Sequence, residues 1–268
     1  MMPPMCKEKS SSPRTRTQDA SHCCDLYLSL LKQILLNLIY QDPQLGPSEQ
    51  AQKFDLATRL EGRDWPRDAH TMIGARRLDN LQACCERVIQ DAVSGDFVEC
   101  GVWRGGASIL MRGVLAAHDI PDRRVILFDS FRGLPRPNPT LFPPDEGDRH
   151  HTFKELAVSL ETVRDTFARY DLLDDQVSFV EGWFKDTLAF APVEQIAVLR
   201  LDGDMYESTW QALTALYPKL SVGGFAIIDD FGAIPACKTA VMDYRRQFDI
   251  EETMVEIDWT GVYWRKAR

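Results

Sequence analysis

The chain has 268 residues, enough for one α/β domain with an appendage and too few for two full-sized domains. With 44% hydrophobic residues it can bury a sizeable core without disulfides or a structural metal. A formal charge of -9 argues against nucleic-acid binding, and the pairs Arg76-Arg77 and Arg245-Arg246 are too short to make a basic face.

Residues 1–22 are rich in Ser, Lys, Arg and Pro, lack the apolar stretch of a secretory signal, and are expected to form a disordered tail. The seven cysteines include the adjacent pairs Cys23-Cys24 and Cys84-Cys85 but no CxxC spacing. Reduced thiols in a cytoplasmic protein are therefore expected, and a zinc site is not. The apolar stretch from Leu26 to Tyr40 is interrupted by Lys32, Gln33 and Asn37. It is shorter than the roughly 20 residues that span a bilayer. No membrane span is expected; a buried or oligomer-forming helix is, and with it a homodimer or higher homo-oligomer. Residues 23–90 as a whole read as a helical lid, broken at Pro43 to Gln52, that packs over the ligand-binding end of the sheet domain.

From Asp96 the pattern alternates short apolar runs with helical stretches. Strands are predicted at Phe97–Cys100, Val125–Phe128, Val177–Val180, Ile196–Leu201 and Phe225–Ile228, with helices near Ala107 and over Thr152–Tyr170 and Tyr206–Leu220. Such alternation implies right-handed βαβ crossovers and a mostly parallel sheet. Thr253–Ile257, a turn at Asp258–Gly261 and Val262–Trp264 read as a terminal hairpin that adds an antiparallel edge. The loop from Phe131 to His151 is long enough to be a lid or binding loop.

Chemistry concentrates at the strand ends. In Glu99-Cys100-Gly101-Val102-Trp103-Arg104-Gly105-Gly106 the glycines permit a tight turn and close backbone approach by a ligand. The spacing is not G-x-G-x-x-G, which disfavours an NAD-dependent dehydrogenase. Glu99 would serve a pyrophosphate poorly and the cationic end of S-adenosylmethionine well. Asp129 ends the second strand, where an acid can accept hydrogen bonds from ribose hydroxyls; its alternative reading is a helix cap.

Asp202 closes the fourth strand and Asp229-Asp230 the fifth. If these strands are neighbours, three carboxylates meet on one rim and repel one another. A hard divalent cation resolves that conflict, and an all-oxygen donor set suits magnesium or calcium. The alternative is that each Asp caps the next helix, and Asp204 fits that role better than Asp202. A metal there would lower the pKa of a hydroxyl and fix its oxygen for in-line methyl transfer. Asp202 and His151 are the candidates for the base that removes the proton.

These segments, together with Ala69-His70-Thr71-Met72-Ile73-Gly74, Asp129-Ser130-Phe131, Gly182-Trp183-Phe184-Lys185-Asp186-Thr187, Leu201-Asp202-Gly203-Asp204, Asp229-Asp230 and Gly261-Val262-Tyr263-Trp264-Arg265, resemble the macrocin O-methyltransferase family from about Leu26 to Arg265. That family methylates deoxysugars on antibiotics. The resemblance implies a class I S-adenosylmethionine-dependent methyltransferase fold (Rossmann-like) over residues 91–268, with a helical N-terminal lid. It implies that Thr71 and Met72 sit over S-adenosyl-L-methionine, that Glu99, Asp129 and Ser130 hold its amino-acid and ribose parts, and that Gly182 and Trp183 lie near the adenine. Gly101, Trp103, Gly105 and Ser108 complete the cofactor set, and Asp202, Asp229 and Asp230 become ligands of Mg2+.

The stretch Arg132 to Arg149 departs from the macrolide-modifying members, and His150 competes with His151 for the place of the family's loop histidine. The implied activity is O-methylation of a small-molecule acceptor, a deoxysugar of a glycosylated natural product. Two alternatives are a catechol-type O-methyltransferase and a non-catalytic S-adenosylmethionine-binding protein. Catechol enzymes place a lysine three residues after the first metal aspartate, where this chain has Met205.

Overall fold

The computed structural model describes residues 13–45 and 53–268. The expected tail falls outside these residues at positions 1–12, as does the expected break at positions 46–52. A first helix, α1 (Pro13–Leu35), begins inside the stretch read as a tail. It is followed by β1 (Gln44–Leu45), α2 (Leu56–Glu61), β2 (Trp65–Pro66) and α3 (Gly74–Gln90), so the N-terminal segment is mainly helical, with β1 and β2 as a short antiparallel ribbon.

The remainder alternates β3 (Asp96–Cys100), α4 (Gly106–Ala117), β4 (Val125–Asp129), α5 (Leu160–Arg169), β5 (Val177–Glu181), α6 (Phe184–Thr187), β6 (Ile196–Leu201), α7 (Tyr206–Leu216), β7 (Leu220–Ile228) and α8 (Pro235–Gln247), and ends in β8 (Val255–Glu256) and β9 (Val262–Arg265). One seven-stranded sheet has the order β5-β4-β3-β6-β7-β9-β8. The first five of these strands run parallel, and β9 joins β7 antiparallel with Val262 opposite Ile228. This is the class I methyltransferase arrangement that the sequence implied.

The period-two alternation of each strand divides the core. Phe97, Val125 and Leu127 face a cluster built with α1, α3 and α4, whereas Val98, Ile126 and Phe128 face one built with α7 and α8. Burying both faces explains why the strands are near-continuous apolar runs.

Two predicted helices are shorter than their sequence spans. Thr152–Tyr170 becomes two single 3-10 turns before α5, which starts where the Ser159 side chain accepts the Thr162 N–H at 3.2 Å. Tyr206–Leu220 stops at Leu216 because Pro218, in the next turn, has no N–H to continue the ladder. Among the described residues, six cysteines are free thiols and no helix is long and apolar enough to cross a membrane.

Candidate active site

The carboxyl ends of β3, β4, β6 and β7 open into a cleft of about 610 Å³, roofed by the segment between α2 and α3. That roof is held by a buried arginine. Arg59 pairs with Asp42 at 2.9 Å and Asp64 at 2.8 Å, and donates to the Leu36 carbonyl at 2.8 Å. Asp42 in turn accepts the backbone N–H of Ala69 at 3.2 Å. The next residue, His70, receives the Gly106 N–H on its carbonyl at 3.0 Å, which seats Thr71 and Met72 against the first turn of α4. Both line the cleft.

The turn after β3 passes unusually close to the exit of β6. Gly101 has φ +87, and a Cβ there would fall 1.8 Å from the Asp202 carbonyl oxygen. Only glycine fits. Gly101, Trp103, Asp129, Ser130, Gly182 and Trp183, six of the residues expected at the cofactor, all line the cleft. The Asp129 carboxylate accepts the N–H groups of Val102 and Phe131, each at 2.7 Å, so it also shapes the turn. Burial raises its pKa, against these backbone hydrogen bonds.

Ser108 and Gly105 do not reach the cleft. Ser108 is fully buried in α4 and donates to Glu99; a Cβ on Gly105 would meet Val163 and Phe167 in the core. Ser108 therefore acts on Glu99 rather than on the cleft, and Gly105 serves the turn and its packing. Glu99 itself is buried, with Oε1 2.5 Å from Arg200. Burial pushes its pKa up to about 7, opposed by Arg200 and by the Ser108 hydroxyl.

Asp202, Asp229 and Asp230 each offer an oxygen within 4.8 Å of the others. β6 and β7 are adjacent, which is the condition the sequence reading required. Burial and mutual repulsion raise the pKa of Asp202 and, more strongly, of Asp230. Two arginines offset part of the charge. Arg200 pairs with Asp229 at 2.5 Å and with Asp202 at 2.9 Å; Arg77 pairs with Asp229 and, at 3.0 Å, with Asp258. Three converging oxygen donors in surplus negative charge fit a hard divalent cation.

Asp204 is not a helix cap. The N-terminal N–H groups of α7, on Tyr206 and Glu207, go to the Asp145 carboxylate at 2.7 and 2.9 Å. Asp204 instead lines the cleft with φ +58, and its N–H donates to Asp230 at 3.1 Å. Of the two loop histidines, His150 lines the cleft and pairs with Asp148 at 2.6 Å. His151 does not line it, and its Nδ1 is buried without a partner. Sequence reasoning also missed Arg200. Its signal was a charged residue inside an otherwise apolar strand, which requires a buried partner.

The sequence profile of the macrocin-O-methyltransferase (TylF) family matches residues 24–266. The chain belongs to this family. It is 54% identical over 250 residues to 8-demethyl-8-(2,3-dimethoxy-alpha-L-rhamnosyl)-tetracenomycin-C 4'-O-methyltransferase of Streptomyces olivaceus, covering 93% of this chain and 94% of that protein. It is 52% identical over 249 residues to demethyldecarbamoylnovobiocin O-methyltransferase of Streptomyces niveus, covering 91% and 94%. The solved structure of the O-methyltransferase NovP superposes with a TM-score of 0.88 at 51% identity, covering 91% of this chain and all of that one. This macrocin O-methyltransferase family member is thus an O-methyltransferase, and the family implies S-adenosylmethionine as methyl donor.

Proposed function

We propose that this enzyme methylates a sugar hydroxyl of a glycosylated natural product in antibiotic biosynthesis, using S-adenosylmethionine and magnesium. The observation that carries the reading is the convergence of Asp202, Asp229 and Asp230 within 4.8 Å beside the glycine turn. The relative from S. olivaceus is named for a rhamnosyl acceptor, which supports a sugar hydroxyl as the target. Met205, where a catechol enzyme has lysine, speaks against a phenolic acceptor.

In this reading Thr71 and Met72 close over the methyl donor, Glu99 and Asp129 bind its amino-acid and ribose parts, and Trp183 packs at the adenine. Asp202, Asp229 and Asp230 hold the magnesium, which when bound lowers the pKa of the acceptor hydroxyl. Arg200 keeps Glu99, Asp202 and Asp229 in fixed relative positions through its three ion pairs. Asp204 suits the proton acceptor better than His151, because its side chain lines the cleft and caps no helix. The roof segment excludes water from the donor. We also assign the exposed face of α1 to a homo-oligomer contact.

The test is methyl transfer from labelled S-adenosylmethionine to the rhamnosyl tetracenomycin, to demethyldecarbamoylnovobiocin and to simple catechols, with magnesium and with chelator. Magnesium-dependent labelling of a glycoside is expected. Labelling of catechols alone overturns the sugar assignment, and full activity in chelator overturns the metal.

A further inference from the structure

One large side chain on the cleft wall has no part in this scheme. Trp259 lies in the turn between β8 and β9, lines the cleft and remains 39% exposed. A part-exposed tryptophan that lines a ligand cleft and is held rigidly presents an apolar plane to whatever occupies the cleft. This ring is held on two sides. Its Nε1 donates to the Glu61 carbonyl at 2.9 Å, and the Arg63 guanidinium sits 4.2 Å from its centroid.

The turn is also fastened to the carboxylate cluster. Thr260 Oγ1 donates to the Asp229 carbonyl at 2.9 Å, and Asp258 pairs at 3.0 Å with Arg77, which itself pairs with Asp229. Trp259 is therefore set at a fixed distance from the place where the reacting hydroxyl would lie.

Sheet order decides which part of a substrate meets it. The donor-side residues lie at the ends of β3, β4 and β5, the carboxylates on β6 and β7, and the turn beyond β7 beside β9. With the methyl donor on one side of the carboxylates, the acceptor has to extend to the other. The first part of it to arrive is the ring that bears the hydroxyl. A sugar ring has an apolar face of C–H groups, and an immobilised aromatic plane can cover that face at low entropic cost.

We propose that Trp259 is a specificity-determining residue that stacks on the sugar ring of the acceptor glycoside. The inference rests on the glycoside reading above and deepens it.

The test compares wild type, Trp259→Ala and Trp259→Phe on two probes. One is the 2,3-dimethoxy-rhamnosyl tetracenomycin and the other is methyl α-L-rhamnoside, which has the sugar without the large aglycone. Affinity for S-adenosylhomocysteine is measured by calorimetry on each variant. The expected result is a rise of about ten-fold in KM for both probes in Trp259→Ala, equivalent to about 1.4 kcal/mol. Trp259→Phe should retain most of the affinity, and S-adenosylhomocysteine binding should be unchanged in both variants. An unchanged KM in Trp259→Ala overturns the proposal. So does a rise confined to the tetracenomycin probe, which would place the aglycone on the ring, or a parallel loss of S-adenosylhomocysteine affinity, which would make the turn structural. If wild type methylates no glycoside, the reading of function fails and takes this inference with it; if it does and only the variant comparison fails, that reading stands.

Discussion

Asp145, in the middle of the loop after β4, accepts the backbone N–H of Tyr206 at 2.7 Å. The same carboxylate takes the Glu207 N–H at 2.9 Å, so a residue from the loop supplies the cap that α7 lacks from its own neighbours. The loop and the helix just beyond Asp202–Asp204 are thereby one wall of the cleft.

Asp145→Ala should cost about 1 kcal/mol through loss of the cap. In a domain of this size that lowers Tm by about 2–4 °C. It should also raise acceptor KM while sparing affinity for the donor. Asp145→Asn should fall between wild type and alanine, because its single amide oxygen can accept one of the two N–H groups while its NH2 cannot accept the other. Thermal denaturation of the two variants checks this; an alanine variant as stable as wild type contradicts it.

The three carboxylates of the proposed metal site should not respond alike to amidation. Asp230→Asn should abolish magnesium-dependent turnover and leave the fold intact, since its carboxylate is tied to the rest of the chain by a backbone hydrogen bond from Asp204 and by no ion pair among the described residues. Asp229→Asn should in addition lose about 3–5 kcal/mol of stability, because Arg77 and Arg200 would each keep a buried charge with one partner fewer. Denaturant melts of both variants, run beside calorimetric titration with magnesium, distinguish the two effects. Equal stability of the two variants would show that Asp229 is no keystone.

Glu99 should give stability a pH dependence. Its folded pKa, about 7, lies above the ordinary value of 4.5, so the stability it contributes is complete below about pH 4.5 and is lost as pH rises through 7. Glu99→Gln cannot titrate. Its Tm relative to wild type should therefore climb between about pH 4.5 and 7 and level off above, at about 1.4 kcal/mol per unit of pKa shift. A Tm difference that stays constant over this range would mean that Glu99 titrates normally.

The first helix should be the assembly element. Leu28, Leu31 and Leu35 face the core, whereas Leu26 is 57% and Leu30 50% exposed on the other side. The double variant Leu26→Glu/Leu30→Glu should shift the mass measured by light scattering from an oligomer to a monomer without altering the fold. A monomeric wild type at micromolar concentration would remove the assignment.

The strands and the aspartates at the ends of β4, β6 and β7 were legible because they obey local pattern, whereas the convergence of the three carboxylates depended on β6 and β7 being neighbours. The runs of β4, β6 and β7 end on or just before an aspartate, and their near-continuous apolar residues mark strands covered on both faces. What failed to read were roles assigned by distant partners. Asp204 looked like a cap until Asp145, 59 positions upstream by residue number, proved to hold the helix. Ser108 looked like a cofactor contact, yet one turn of helix points it at Glu99. His150 and His151 are adjacent, and only the path of the loop decides which one enters the cleft. Arg77 was visible merely as half of a basic pair, because its partners lie on β7 and in the terminal hairpin.

The contact between Gly101 and the Asp202 carbonyl has a consequence for redesign of acceptor range. Because the donor turn touches the carboxylate loop backbone to backbone, neither can be regrafted without the other. In the proposed reading the two act as one rigid unit that sets the line of methyl transfer. The turn around Trp259 and the loop over residues 131–149 are tied to this unit, through Thr260 at the Asp229 carbonyl and Asp145 at the start of α7, and in the proposed reading they bound the acceptor space. Exchanging those two segments between relatives, with these contacts kept, should therefore alter which sugar is accepted and leave the proposed reaction geometry in place.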